Sequence, residues 1–257
     1  MEFKENTKAL VLGASGGIGE AVAKKLAKSG VKVTLAARTE SKLKNVLSSL
    51  EGEGHSYVLV DMTDTDSVKN LCKFLDESGS YSVFVNNSGG PKGGPLLAAE
   101  EETFEDGFKA HILSAQEILK TLVPQMKSVG QGRLVNVIST SVKIPIPNLG
   151  VSNTIRGAVA SWAKTLSMEL GKDNITVNNV LPGYTETGRL EALVAATSKR
   201  LEVSVEEVHK LWKAKVPMAR FAKPSEVANA VCFLASDEAS YISGVSVPVD
   251  GGRTGSI

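Results

Sequence analysis

Short apolar runs alternate with amphipathic stretches along almost the whole chain. The runs are KALVLG (8–13), VKVTLAA (31–37), SYVLVD (56–61), SVFVNN (82–87), RLVNVIS (133–139), ITVNNVLP (175–182) and GVSVPVD (244–250). They are short and rich in β-branched residues, with little polar alternation, which is the pattern of a strand buried on both faces. Between them, segments such as GEAVAKKLAKSG (19–30) repeat apolar residues at helical spacing and stop at a glycine. TDTDSVKNLCKFL (63–75) opens with capping residues before it turns helical, and longer helical patterns cover 102–128 and 152–170. Strands joined by crossover helices predict an α/β fold. The expected architecture is one doubly wound domain over 1–257, with about seven parallel strands and helices on both faces. Residues 184–216 interrupt the alternation with two helical patterns before the last βα unit. An insertion near the strand C-terminal ends suits a substrate lid, and a packing excursion is the alternative.

The first strand meets the first helix through LVLGASGGIGEAVAKKL, with Gly13, Gly17 and Gly19 spaced GxxxGxG. This differs from the GxGxxG of the usual dinucleotide fingerprint but serves the same physics. Gly13 permits a tight turn, Gly17 lets the backbone approach a pyrophosphate, and the helix N-terminus offers free N–H groups. Ser15 and Ile18 complete this loop, which predicts a Rossmann-type dinucleotide site. The end of the second strand then bears on the choice of cofactor. An acid there would hold a ribose 2′-hydroxyl, whereas an arginine accommodates a 2′-phosphate. The chain reads LAARTES, with Arg38 and no acid before Glu40, which favours NADP over NAD.

Composition narrows the function class. With a formal net charge of +1 and no long run of one sign, the 257-residue chain offers no electrostatic support for nucleic-acid or membrane-surface binding. Its two cysteines, Cys72 and Cys232, lack CxxC spacing and read as small buried hydrophobes, so neither a disulfide framework nor a metal site is expected. The N-terminal MEFKENTKALVLG lacks the apolar core of a signal peptide, and no apolar run approaches a membrane span. A cytoplasmic location is the expectation.

Together with the glycine loop, NNSGG (86–90), VNVIS ending at Ser139, LPGYTET (181–187) and the closing SGVSVPVDGG (243–252) resemble the short-chain dehydrogenase/reductase family over nearly the whole chain. The broad type is similar to 3-oxoacyl-acyl-carrier-protein reductases and related ketoreductases. The resemblance implies cofactor contacts at Asp61 and Met62 for the adenine, and at Asn87 and Gly89 beneath the adjoining ribose and backbone. It also implies contacts for the nicotinamide carboxamide at Pro182 and Gly183, with Thr185 and Thr187 behind them. Leu12 stands where many members have threonine.

The resemblance further implies hydride transfer between a nicotinamide and a carbonyl or alcohol carbon. In that chemistry a serine orients the substrate oxygen, and a tyrosine moves the proton. A lysine four residues on lowers the tyrosine pKa and holds the ribose, and an asparagine supports a water relay. Ser139 matches the serine. Thirteen residues on, where the tyrosine belongs, stands Ser152; Arg156 takes the place of the lysine and His111 that of the asparagine. No tyrosine of the chain has a lysine four residues later.

Arg156 can donate to ribose hydroxyls but cannot shuttle a proton. Ser152, an alcohol, is a far weaker acid than a phenol. Tyr184 and His111 are the other candidate proton donors, each with a plain packing alternative, and Lys143 lies on a loop that could reach the pocket mouth. Two functions stay open: an NADP(H)-dependent reductase of carbonyl or acyl-thioester substrates with a rearranged proton path, or a silent NADP(H)-binding sensor, scaffold or partner subunit. The family pattern implies a homo-oligomer, a tetramer or dimer, built on the two long helices and the last strand.

Overall fold

The computed structural model of the protein describes residues 1–256. Seven strands form one parallel sheet: β1 (Lys8–Leu12), β2 (Lys32–Ala37), β3 (Ser56–Leu59), β4 (Val83–Asn87), β5 (Gly132–Val137), β6 (Ile175–Pro182) and β7 (Ser246–Val249). Their order is β3-β2-β1-β4-β5-β6-β7. The chain reverses its direction of winding between β1 and β4, so the strand C-terminal ends part there and leave a crevice. Each expected apolar run forms its strand; β6 matches its run, and the others differ from theirs by one or two residues at one or both ends.

Alternate residues of most strands feed two separate cores, whereas β7 contributes to one of them. From β1, Ala9 and Val11 pack with Val22, Leu26, Leu43 and Val231, under the helices α1 (Gly17–Lys28), α2 (Glu40–Leu47) and α9 (Pro224–Ala235). Leu10 and Leu12 pack on the other face with Leu71, Leu75, Ile118 and Leu122. That face is covered by α3 (Thr65–Ser78), α5 (Ser114–Val129) and α6 (Gly150–Leu170). The side-chain period of two therefore explains why strands covered on both faces show no polar alternation. Leu12 is a core residue, 1% exposed. Cys232 is buried as expected, and its thiol is pushed up to about 12 by desolvation.

The central strands also carry a polar line. Asn86, Asn136, Asn179 and Ser246 lie in register on β4 to β7. Asn86 Nδ2 donates to Asn136 Oδ1 at 2.9 Å, Asn136 Nδ2 to Asn179 Oδ1 at 3.0 Å, and Asn179 Nδ2 to Ser246 Oγ at 3.0 Å. Asn136→Ala would leave a buried donor and a buried acceptor without partners. Its unfolding free energy should fall by about 2–4 kcal/mol, measured by urea denaturation, whereas Asn45→Ala on exposed surface should change little.

One expected helix is divided. The pattern over 102–128 forms α4 (Glu101–Phe108) and α5, joined by a single π-helical turn at Lys109–Leu113. The extra residue in this turn leaves His111 and Ile112 both buried. Such turns replace i→i−4 bonds by longer ones and frequently mark functional sites. The insertion over 184–216 contains two helices, α7 (Gly188–Leu201) and α8 (Val205–Lys213). Thr185 pairs with Ala222 across its base, so both ends of the excursion are anchored. Among the described residues no helix is long and apolar enough to cross a membrane.

Candidate active site

The crevice is floored by the glycine loop. Gly13 and Gly17 have φ of +62° and +57°, the left-handed region that side chains disfavour. A Cβ on Gly13 would overlap the Asn87 carbonyl oxygen, and one on Gly19 would overlap the Gly13 carbonyl oxygen. Asn87 clamps the loop: its Nδ2 donates to the carbonyls of Leu12 at 3.3 Å and Gly13 at 3.4 Å. No side chain caps the N-terminus of α1 at Gly16, so its N–H groups remain available to an anion. Ile18 packs down onto the core beneath. From above, the Thr187 methyl lies 3.1 Å from where a Gly17 Cβ would stand.

Along the crevice, Arg38 projects into solvent with Nη1 4.0 Å from Asp61 Oδ2. Asp61 Oδ1 accepts from the Thr63 amide at 2.9 Å and its hydroxyl at 2.8 Å. The Thr63 amide bond is the main reason that this carboxyl sits below its ordinary range. Ser114 Oγ donates to the Met62 carbonyl at 2.7 Å, which pins that backbone to α5. On the opposite wall, Thr185 Oγ1 donates to the Gly183 carbonyl, Thr187 Oγ1 accepts from the Leu190 amide, and Gly183 abuts the Asp250 backbone. Pro182 ends β6 at this point.

Beyond β5, Ser139 Oγ accepts from the Ser141 amide at 3.1 Å. Ser152 and Arg156 lie one turn apart on the buried face of α6. Arg156 is 7% exposed; its Nη1 donates to the Val137 carbonyl at 3.0 Å and its Nη2 to the Ser88 carbonyl at 3.1 Å. Two of its five N–H groups thus hold the ends of β5 and β4 together. Desolvation, then the nearby Arg189, lowers its pKa to about 10, so it stays charged at neutral pH.

His111 departs from the sequence expectation. Its ordinary pKa made it a candidate for proton traffic, but desolvation and then the Arg156 charge push it down to about 3, against a smaller opposing effect of the Gly89 backbone. It is a neutral imidazole at neutral pH. Folding must therefore exclude a proton that the unfolded chain binds below pH 6.5. The depressed pKa contributes stability that is present above the unfolded value and lost as pH falls towards about 3. Between pH 6 and 4.5, above the carboxylate range, the protein should lose up to about 1.4 kcal/mol per pH unit. Urea midpoints for His111→Asn should be flatter over that interval.

Tyr184 packs in an aromatic cluster. Its ring stacks on Trp212 at 4.8 Å, meets Phe221 edge-on at 5.8 Å and lies 4.5 Å below the Arg253 guanidinium. Lys143 is exposed on its loop. A small cleft of about 210 Å³ opens beside Tyr184's partner Arg253, between Thr140, Ile144 and Lys215. A larger open groove of about 610 Å³ runs along Leu96, Pro145, Ile146, Asn153, Thr154 and Gly157. Neither Ser152 nor Arg156 lines it, so it belongs to another face of α6.

Two residues at the centre escaped the sequence reading. Arg189, in the first turn of α7, reaches across to the β4 loop, where its Nη2 donates to the Pro91 carbonyl at 2.7 Å. Gly90 lies between Arg189, Arg156 and Ser152. Gly90 closes the NNSGG motif and Arg189 follows LPGYTET, but nothing in their spacing brings the two together; the approach is made by the tertiary fold.

The family model described as enoyl-(acyl carrier protein) reductase matches residues 13–254. The chain belongs to the short-chain dehydrogenase/reductase family. Among its short-chain reductase relatives, the 3-oxoacyl-[acyl-carrier-protein] reductase of Vibrio cholerae is 34% identical over 251 residues, covering 96% of this chain and 97% of that one. A solved actinorhodin polyketide ketoreductase with NADPH superposes with a TM-score of 0.92 at 31% identity, over 98% of both chains. L-Sorbose reductase from Gluconobacter frateurii, complexed with NADPH and L-sorbose, gives 0.91 at 27% identity over 99% of both. The seven-stranded parallel sheet is the short-chain dehydrogenase/reductase architecture.

Proposed function

We propose that the protein is an NADPH-dependent carbonyl reductase, of ketoreductase or 3-oxoacyl-thioester type, whose proton path uses no phenol at the tyrosine position. The observation that carries this reading is the uncapped, glycine-lined N-terminus of α1 on the same edge of the parallel sheet as Ser139, which follows β5. The left-handed glycines and the Asn87 clamp fit a dinucleotide pyrophosphate, and Arg38 fits a 2′-phosphate. The named reductase relatives support the same assignment. When bound, the nicotinamide supplies the hydride. Asp61 and Met62 would hold the adenine, Asn87 and Gly89 the adjoining ribose and backbone, and Pro182, Gly183, Thr185 and Thr187 the carboxamide.

Ser139 donates a hydrogen bond to the substrate oxygen and orients it. The fixed charge of Arg156 keeps the potential at this end of the site positive, which favours the alkoxide that hydride transfer creates. Ser152 passes the proton along hydroxyls and water, with neutral His111 as a further hydrogen-bonding station. Residues 184–216 cover the substrate, with Tyr184 as a wall. Exposed Phe108, Leu113 and Met168 on the long helices support a homo-oligomer.

Initial rates of NADPH oxidation with small ketones, β-ketoesters and a 3-oxoacyl thioester test the reading, with Ser139→Ala as the control. Turnover that Ser139→Ala lowers by about a hundredfold supports it. Titrations of Arg38→Ala should show NADPH affinity reduced about tenfold and NADH affinity unchanged. A second reading, a silent NADP(H) binder, draws on Arg156, whose donors are engaged with backbone carbonyls. Tight NADPH binding without oxidation across the whole panel would favour it.

A further inference from the structure

The reaction centre holds two guanidinium groups where carbonyl reduction needs at most one. Arg156 reaches it from α6 within the protein, and Arg189 from the lid helix at the mouth. The position that a Cβ on Gly90 would take lies 3.6 Å from Arg156 Nη2, 3.7 Å from Ser152 Oγ and 3.8 Å from Arg189 Nη2. Three side-chain donors from two helices therefore surround one point, beside a residue that has no side chain. The arginine ion pairs among the described residues are Arg38–Asp61, Arg133–Asp237 and Arg220–Glu226. Neither Arg156 nor Arg189 has a carboxylate partner, and the charge acting on Arg156 is that of Arg189. The carbonyls of Val137, Ser88 and Pro91 orient the two forks without neutralising them. Like charges brought together in this way favour a bound anion.

We propose that Arg156, Arg189 and Ser152 form an anion subsite that seats the carboxylate of an oxo-acid substrate, so that the enzyme prefers oxo-acid anions to neutral ketones and esters. This rests on the reading of the chain as a carbonyl reductase. A guanidinium fork matches a carboxylate with two parallel N–H···O bonds, which an ammonium cannot do. The cofactor phosphates have their own seat at the N-terminus of α1, on the glycine loop. The subsite accounts for both departures at positions 152 and 156. A phenol at 152 would fill the cradle, and a lysine at 156 would present a point charge in place of the fork.

Acetoacetate and methyl acetoacetate, titrated into the protein saturated with NADP+, provide the test by calorimetry and ligand-observed NMR. NADP+ prevents reduction during the titration. The acid should bind at least tenfold more tightly than the ester, and the gap should shrink as salt is raised. Arg189→Met and Gly90→Ala should each abolish the gap. Gly90 has no left-handed φ, and its Cβ would meet nothing closer than 3.6 Å, so alanine fits the fold while its methyl occupies the cradle.

Equal affinities for acid and ester in the parent would overturn the proposal, as would an acid preference that survives both variants. So would acetoacetate displacing NADP+, because the pair would then serve the cofactor. The two readings fail separately. Acetoacetate bound at the arginines but never reduced by NADPH contradicts the reductase alone, and reduction of methyl acetoacetate without any preference for the acid contradicts the subsite alone.

Discussion

Gly13→Ala should weaken NADPH binding by on the order of a hundredfold, about 2.7 kcal/mol, and destabilise the fold as well. Gly13 holds φ at +62°, where a side chain costs about 1–2 kcal/mol. Its added Cβ would also fall on the Asn87 carbonyl oxygen and crowd the Asn87 amide, the group that ties β4 to the loop. Relief requires the loop and the end of β4 to separate, and that separation moves the α1 N-terminus out of line with the crevice. Gly16→Ala is the internal control. Gly16 has an extended backbone, with φ of 168°, and its Cβ would meet nothing within 4 Å. Calorimetric titration with NADPH and thermal denaturation of both variants should show loss of affinity and a lower Tm for Gly13→Ala alone. A Gly13→Ala protein with parental affinity would mean that the loop does not carry the pyrophosphate.

Ser152→Tyr combined with Arg156→Lys should raise reduction of neutral β-ketoesters by about a hundredfold or more, while each single change does little. At this point the parent carries an alcohol, Ser152, where the double variant would carry a phenol. Each pKa unit by which an alcohol must be lowered requires about 1.4 kcal/mol of differential stabilisation. His111, held near 3, is not an imidazolium acid at neutral pH. A phenol at 152 supplies the acid, and a lysine at 156 lowers its pKa. The two act as a unit, so their effects are strongly non-additive. The same double variant should lose any preference for acetoacetate, since the fork and the open cradle are both removed. Initial rates for the parent, both singles and the double decide the matter. A folded double variant that binds NADPH like the parent but reduces no faster would place the missing component elsewhere.

The sheet is legible in the chain because its strands are apolar on both faces and each is followed by a helix with its own stop signal. The phosphate loop is legible because Gly13 and Gly17 answer backbone demands that few other residues meet. Other features depend on spatial neighbours. The break at Lys109–Leu113 inserts a residue without disturbing the average helical spacing, so 102–128 reads as one helix. The low pKa of His111 follows from burial beside Arg156, 45 positions away in the chain and near only in the fold. Asn87 stands out within the NNSGG motif, but its hold on the Leu12 and Gly13 carbonyls is a tertiary fact. Arg189 follows the LPGYTET motif as an ordinary residue of the first turn of α7, and only its reach to Pro91 sets it opposite Arg156.

Transfer of deuterium from NADPH labelled on the nicotinamide to the product tests most directly whether this centre, with no phenol at position 152, performs carbonyl reduction. With a 3-oxoacyl thioester or an oxo acid as substrate, the carbinol carbon should gain one deuterium, seen by mass spectrometry and NMR, and Ser139→Ala should suppress the transfer. Saturating binding of labelled NADPH with no deuterium in any product of the substrate panel would contradict it.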